Sequence, residues 1–415
     1  MDHTPQKADS DLVRRQNRGL VLAALRSAGA IARVELGRIT ALSPATITSI
    51  TSDLLHEGLI VIAPDQADPL RGRKGRPQVK LALNDKAGHV LGLRISIDEL
   101  RIDLVTYGGK PVAREFIELA SYETDEDSYG EKAAALVRGF LRKRGVALSS
   151  LLHAGVAVQG IADTSRGGIA WSPAFRGRDV AVLDPLARAL RCPVSIANDG
   201  NLMARVVAER SAGLSGTTLV VFVGYGIGMG IVLDGTVYAG PTGAAAEFGH
   251  MNHEPDGPLC RCGQRGCIEA YAADYALLRQ WHGESSWHDP THHAVDPQEL
   301  IRLRRKASEG DAKALAVYNA AGRVLGIGIA RAIALLNAQR VVIAGPGADN
   351  FDLMKGALET GFRTALPEAL REGVTIEAVA GGHDLITEGL LDQIFAELDR
   401  TVFARPGWQQ LRLTG

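Results

Sequence analysis

From His89 onward the chain alternates apolar runs with helical stretches, and this alternation constrains the fold more than any other feature of the sequence. HVLGLRISI, HAGVAVQGI, CPVSIAND, TLVVFVGYG and RVVIAG read as buried strands; EKAAALVRGFLRKRG, DPLARALR and DAKALAVYNAAGRVLGIGIARAIALLN read as helices between them. Strands and helices in alternation build α/β layers around buried sheets. Two glycine-bearing strand-turn-strand segments, 92–108 and 224–240, recur at comparable places and predict duplicated lobes with a cleft between them. A chain of 415 residues has room for two or three such domains.

The front of the chain differs in charge. Between residues 12 and 80 eleven Lys and Arg stand against five Asp and Glu, while the whole chain has a net charge of −1, so a basic module precedes an acidic body. LVRRQNRGLVLAALRSA, 12–28, predicts a helix with Leu20, Val21, Ala24, Leu25 and Ala28 inward, closed by Gly29. A short helix follows over 34–39, then a turn at Ala41 and Leu42. Ser43 and Pro44 make a cap and first-turn pair for a third helix. That helix has Ile47, Ile50, Leu54 and Leu55 inward and Ala45, Thr46, Thr48 and Ser49 outward near its start; Gly58 ends it, and a strand begins. This is the plan of a winged helix-turn-helix, whose third helix enters the DNA major groove. Ser43, Pro44, Ala45, Thr46, Thr48 and Ser49 are therefore the candidate DNA contacts. In RGRKGRPQ, Arg71, Arg73, Lys74 and Arg76 form a thin basic strip suited to a narrow minor groove, or else a solvated linker. Proteins of this plan read paired half-sites, so a homodimer or tetramer on a palindromic double-stranded operator is expected.

EFGHMNHEPDGPLCRCGQRGCIEA, 247–270, places His and Cys residues between two acids. The polar start MDHTPQKADSD and the lack of any long apolar run predict a cytoplasmic chain with no membrane segment. Thiols stay reduced there, so Cys260, Cys262 and Cys267 are expected to hold metal instead of forming bridges. Three thiolates and one imidazole match the shell of a structural zinc site. Cys260 and Cys262 are too close to chelate from a helix face, so a loop must fold around the ion, helped by Gly263 and Gly266. His253 competes with His250 for the fourth position, and Cys192 reads as a small core residue.

GYGIGMGIVLDGTVYAGPTGAAAEFGH followed by CRCGQRGCIE closely resembles the signature of the ROK family of sugar kinases and sugar-responsive repressors. The resemblance extends over nearly the whole chain, including the front module and the RGRKGRP linker of the repressor branch. It implies an actin-like (ribonuclease H-like) two-lobed α/β sugar-kinase fold behind the winged helix-turn-helix. The domains would be 1–82, DNA-binding; 83–196, the first lobe, with a C-terminal helix 385–415 packing back on it; and 197–384, the second lobe with the metal clasp. The resemblance also makes His250 the fourth zinc ligand and assigns sugar hydroxyls to Asn198, Asp199, Glu247, His250 and Glu269. Carboxylates that accept from hydroxyls suit a polyol, and a metal clasp would hold two of these groups rigidly. The family's usual Ser-Pro-Asn near the sugar is Ser172-Pro173-Ala174 here, which removes one contact.

A kinase of this family would use Asp199 as general base and Asp-x-Gly-Gly-Thr as its phosphate loop. The corresponding segment is Arg94-Ile95-Ser96-Ile97-Asp98: the acid has become a base, the glycines carry side chains and the hydroxyl has become a carboxylate that would repel phosphate. Tyr225 and Met229 also replace smaller residues, and Gly224, Gly226, Gly228 and Gly230 read as tight-turn glycines. The expectation is a non-enzyme: a sugar-responsive repressor of carbohydrate uptake and catabolism genes. The alternatives are an active ATP-dependent sugar kinase with a DNA-binding arm, and a docking protein regulated by a partner. The polar insertion 281–297, with its histidines, is expected to be a surface loop.

Overall fold

The computed structural model describes residues 10–64, 79–164, 166–211, 215–284, 290, 295–379 and 382–404. The basic strip with Arg71, Arg73, Lys74 and Arg76 lies outside them, as do 285–289 and 291–294 of the polar insertion.

The chain opens with α1 (Ser10–Ala28), β1 (Ile31–Ala32), α2 (Arg33–Thr40), α3 (Pro44–His56), β2 (Ile60–Ile62) and β3 (Lys80–Leu83). Gly29 and Gly58 adopt left-handed φ of +70° and +71°, which ends α1 and turns the chain after α3. Ser43 caps α3 by accepting from the Thr46 amide at 3.2 Å, and Pro44 fills the first turn. The three strands pair antiparallel in the order β1-β3-β2. Their core joins Val21, Leu22, Leu25, Leu36, Ile47, Ile50 and Leu54. The inward face of α1 is rotated from the expected one: Leu20 is 50% exposed and Ala28 is exposed, while Leu22, Arg18 and Gly19 are buried. Residues 399–403 cover the Arg18–Gly19 side, and sequence periodicity cannot see a partner so distant.

The first lobe follows. It comprises β4 (His89–Ile95), β5 (Glu99–Thr106), β6 (Pro111–Glu118), α4 (Glu126–Lys143) and β7 (Leu151–Val158). Next come a small antiparallel sheet of β8 (Ile161–Asp163), β9 (Gly168–Trp171) and β10 (Val180–Ala181), then α5 (Leu183–Leu190) and β11 (Val194–Asn198). The main sheet runs β6-β5-β4-β7-β11, antiparallel across the first three strands and parallel thereafter. Every residue of β7 is buried, as expected of a central strand with helices on both faces.

The second lobe repeats this order. After α6 (Asp199–Arg210) come β12 (Thr217–Val223), β13 (Ile227–Leu233) and β14 (Thr236–Tyr238). The clasp loop, α7 (Glu269–Ala272), α8 (Asp274–His282), α9 (Pro297–Ser308) and α10 (Ala312–Leu336) lead to β15 (Arg340–Ala344). The lobe ends with α11 (Phe351–Ala365), α12 (Glu368–Arg371) and β16 (Thr375–Ala378). Its sheet runs β14-β13-β12-β15-β16, with the same antiparallel and parallel halves. Helix α10 is long and apolar enough to cross a bilayer, yet it is buried in this lobe against α11. A Cβ on Gly326 would lie 2.0 Å from the Leu358 carbonyl, and one on Gly361 2.2 Å from that of Arg323, so the helix pair depends on bare backbone.

The C-terminal helix α13 (Gly382–Glu397) starts three residues before the expected 385 and gives way to a π-helical turn, Leu398–Val402; residues 405–415 of the expected helix lie outside the described residues. It packs on α6 and on β7 and β4 of the first lobe. The π-helical turn then meets α1. Asp399, 1% exposed, pairs with Arg26 through two oxygens at 2.8 and 3.1 Å and accepts from the Tyr107 hydroxyl at 2.7 Å. Arg18 donates to the Phe403 carbonyl and pairs with Glu57. This neck joins the front module to the body through buried, matched charges.

Candidate functional site

Between the lobes, β11 hands over to α6 at a capped junction. Asn198 ends the strand; its Oδ1 accepts from the Asn201 amide at 3.2 Å and its Nδ2 donates to the Gly160 carbonyl at 2.6 Å. Asp199 opens the helix, nearly buried, with Oδ1 accepting from the Gly200 amide at 2.8 Å. The Tyr225 hydroxyl donates to Oδ2. Burial pushes the Asp199 carboxyl up, opposed by the Tyr225 hydrogen bond and the charge of Arg94. The Arg94 guanidinium in turn sits 5.4 Å from the centre of the Tyr225 ring.

Asn198, Asp199, Glu247, His250 and Glu269 all line one pocket, walled by Trp171 and the Tyr225–Met229 strand start. Glu247 Oε2 stands 3.8 Å from His250 Nε2, and burial raises its carboxyl, with Asp199 and Glu269 adding repulsion that His250 opposes. Glu269 is buried; one oxygen accepts from the Ile227 amide at 3.2 Å, and the other receives the Cys260 thiol at 3.6 Å. The pocket is narrow, with about 30 Å³ of space for water. Pro173 lines it, but Ala174 is buried in the first-lobe core and donates its amide to Ser172 Oγ at 3.1 Å. The third residue of that segment therefore offers the pocket nothing.

The clasp abuts this pocket. Gly263 and Gly266, at φ +84° and +70°, fold the loop so that Leu259 bridges Arg265 and Asn252 bridges Cys267. One donor atom each from His250, Cys260, Cys262 and Cys267 then lies within 4.8 Å of all the others. Cys260 Sγ is 3.7 Å from His250 Nδ1, and Cys262 Sγ is 3.7 Å from Cys267 Sγ. Two sulfurs bound at about 2.3 Å to one tetrahedral ion stand about 3.8 Å apart, so the donor set fits a metal. His250 serves both sites, with Nδ1 toward the thiols and Nε2 toward Glu247. His253 stands outside the cluster, its ring packed edge-on against Tyr271. Cys192 is buried in the first-lobe core.

Two connections escaped sequence reasoning. Arg261, the residue between two cysteines, donates to the Tyr225 carbonyl at 3.2 Å and stacks 4.4 Å from the Tyr275 ring centre, tying the clasp to the turn that carries Tyr225. Gly224 and Gly226 sit in that turn, as expected, while Gly228 and Gly230 do not. None of Gly224, Gly226, Gly228 and Gly230 has a left-handed φ, and Gly228 and Gly230 lie in β13. A Cβ on Gly230 would lie 2.4 Å from that of Ala204, and one on Gly226 2.7 Å from Gln159 Nε2, so Gly230 lets α6 approach closely and Gly226 lets Gln159 do so.

The matching turn of the first lobe, between β4 and β5, is closed. The Ser96 amide and hydroxyl both donate to the Glu99 carbonyl at 3.0 Å, and Ile97 is buried in the lobe core. The Ile97 and Asp98 carbonyls accept from the Ser121 and Leu119 amides at 2.8 and 2.9 Å.

Facing exposed in the front module, away from its core, are Ser43, Pro44, Ala45, Thr48 and Ser49, with Thr46 half-buried. Thr46 and Thr48 spend their hydroxyls locally, on Ser43 and on the Pro44 carbonyl.

Two duplicated α/β lobes around a carboxylate-lined cleft, behind a winged helix-turn-helix, define the actin-like sugar-kinase class of fold joined to a DNA-binding module. The chain belongs to the ROK family, whose profile matches residues 90–387. It is 27% identical over 405 residues to the DNA-binding transcriptional dual regulator NagC of Escherichia coli (strain K12), covering 94% of this chain and 97% of that one. It is 27% identical to the xylose repressor of Bacillus subtilis (strain 168), covering 81% and 83%. Among solved structures, a ROK family transcriptional regulator, a homologue of the E. coli Mlc protein, superposes with a TM-score of 0.72 at 25% identity over 94% of this chain and 99% of that one. A ROK family glucokinase from Streptomyces griseus shares the fold of the body, with a TM-score of 0.59 at 22% identity over 74% of this chain and 99% of that one.

Proposed function

We propose that the protein is a sugar-responsive transcriptional repressor that binds a palindromic operator as a homodimer and controls carbohydrate uptake and catabolism genes. The observation that carries this reading is one chain holding both an exposed-ended α3 and a buried inter-lobe pocket of hydroxyl-accepting side chains. Relatives named as repressors match over 90% or more of this chain. Asn198, Asp199, Glu247, His250 and Glu269 read the sugar, α3 and the basic strip read DNA, and the cell compartment is the cytoplasm.

A structural zinc on His250, Cys260, Cys262 and Cys267 holds His250 and Glu269 in place. Phosphoryl transfer is not part of this reading, although ROK kinases share the fold. The closed Ser96–Asp98 turn offers no glycine cradle, and Tyr225 occupies the carboxylate that would serve as base. Sugar binding reaches DNA along α13, which touches α6 beside the pocket and ends in the turn docked on α1.

The test is a titration of labelled operator with and without a panel of sugars and sugar phosphates, alongside ATP turnover on the same panel. A sugar-dependent change in operator affinity without turnover supports the proposal; turnover with no such change supports a kinase bearing a DNA-binding arm.

A further inference from the structure

Helix α3 reads PATITSITSDLLH, without a single Arg, Lys, Asn or Gln. Its exposed residues after the first turn opens are Ala45, Thr48, Ser49, Ser52 and His56, spaced as one face of a helix. Base edges in the major groove are read by the N-terminal residues of such a helix. His56 stands eleven residues beyond Ala45, about 16 Å along the axis, and so away from that end. The cations nearest α3 are spent within the protein: Arg14 pairs with Asp53 at 2.7 Å, Arg33 donates to Thr51 Oγ1 at 2.8 Å, and Arg18 pairs with Glu57.

The threonine hydroxyls are committed as well. Thr48 Oγ1 donates to the Pro44 carbonyl at 2.8 Å, and Thr46 Oγ1 lies 2.8 Å from the Oγ of Ser43, which also accepts from the Thr46 amide. With its hydroxyl turned back on the helix, exposed Thr48 presents its methyl group outward. Ser49 and Ser52 each carry a hydroxyl, but a lone hydroxyl both donates and accepts and so tells the bases apart poorly. Guanine and adenine are singled out by paired bonds from Arg, Lys, Asn or Gln, none of which α3 carries. What remains is apolar, the Ala45 and Thr48 methyl groups. Among the four bases only thymine offers a methyl group in the major groove for them to meet.

We propose that the start of α3 selects its half-site through thymine methyl groups, with Ala45 and Thr48 as the residues that determine specificity. The ligand is therefore duplex DNA whose half-sites place thymine opposite these two side chains. This rests on the reading of α3 as the helix that enters the groove. In that reading the basic strip at 71–76 adds affinity from phosphates and the minor groove. Thymine and uracil are alike there, because the methyl group lies in the major groove. The two contributions are thus separable by chemistry.

The test selects duplexes from a random pool with the full chain and remakes the tightest with deoxyuridine for thymidine, which removes only methyl groups. Wild type should bind the uracil copy about fourfold more weakly for each contacted thymine, or roughly tenfold or more over two half-sites. Thr48→Ser deletes the methyl group and keeps the hydroxyl; it should weaken binding to the thymine duplex and narrow the difference between the two copies. Thr48→Val keeps the methyl group and should bind and discriminate like wild type. Unchanged circular dichroism spectra show that both variants fold. Equal binding of the two copies by wild type would overturn the proposal, as would selected half-sites that lack thymine. If Thr48→Val loses as much affinity as Thr48→Ser, the hydroxyl is the reader and the methyl assignment fails. A pool from which no duplex is enriched would sink DNA reading by α3 itself, an outcome distinct from equal binding of the two copies.

Discussion

The neck and the cleft both bury charge, and they treat it in opposite ways. At the neck, Asp399 meets Arg26 through both oxygens and the Tyr107 hydroxyl besides, and Arg18 reaches both Glu57 and a backbone carbonyl. In the cleft, Asp199, Glu247 and Glu269 crowd one small pocket, and burial pushes the carboxyls of Asp199 and Glu247 up. Matched charges make a stiff joint; crowded carboxylates make a site that is incomplete without a ligand. The difference teaches where stability and responsiveness are separated in this chain, and substitutions should give opposite signs in the two regions.

The largest effect should come from removing the brace that lets the cleft hold such a cluster. Cys260→Ser combined with Cys267→Ser should abolish bound metal and cost about 4 kcal/mol or more, read by metal analysis and thermal unfolding. Retained metal and stability would show that the cleft needs no clasp. Next, Asp399→Asn should cost about 3 kcal/mol, because it leaves Arg26 without its buried counter-charge. Its operator binding should also lose sugar dependence; a variant as stable and responsive as wild type would show that the neck is not a joint.

In the cleft, Asp199→Asn and Glu269→Gln should keep sugar-free operator binding while losing the response, a coupling of about 1 to 3 kcal/mol, or roughly 5- to 150-fold in affinity. If both respond like wild type, the effector binds elsewhere. If both lose operator binding without sugar, these acids support the fold. The smallest effect carries the sharpest sign. A carboxyl raised in the folded state favours folding most at low pH, and that contribution is lost as pH rises through its folded value. Glu247→Gln should thus be more stable than wild type by about 1 kcal/mol near pH 8, with the gain shrinking toward pH 5, measured by unfolding at both. A loss that grows with pH would mean Glu247 is paired in the free protein.

The sequence revealed what is local. Ser43 and Pro44 announce the start of α3, and Cys-x-Cys with two nearby glycines announces a loop clasp, because cap and chelate geometry are set within a few residues. What it hid is long-range. The burial of Arg18 and Gly19 in place of Leu20 depends on a turn near residue 400, and a Cβ on Gly19 would lie 3.4 Å from the Asp399 carbonyl. The Tyr225–Asp199 bond joins residues 26 apart in the chain, and no periodicity encodes it. Gly226 and Gly230 are visible as glycines but not as contacts, since the Gln159 side chain and the helix α6 that they admit lie far earlier in the chain.

Helix α10 has a consequence for the newly made chain. Until it is covered, a segment of this length and apolarity is open to membranes and to other nascent chains. Its principal cover, α11, is the next long helix to emerge, after only the short strand β15, so the shield forms through neighbouring segments and without waiting for the rest of the lobe. A side chain at Gly326 or Gly361 would meet the Leu358 or Arg323 carbonyl and so oppose the pairing that covers this helix.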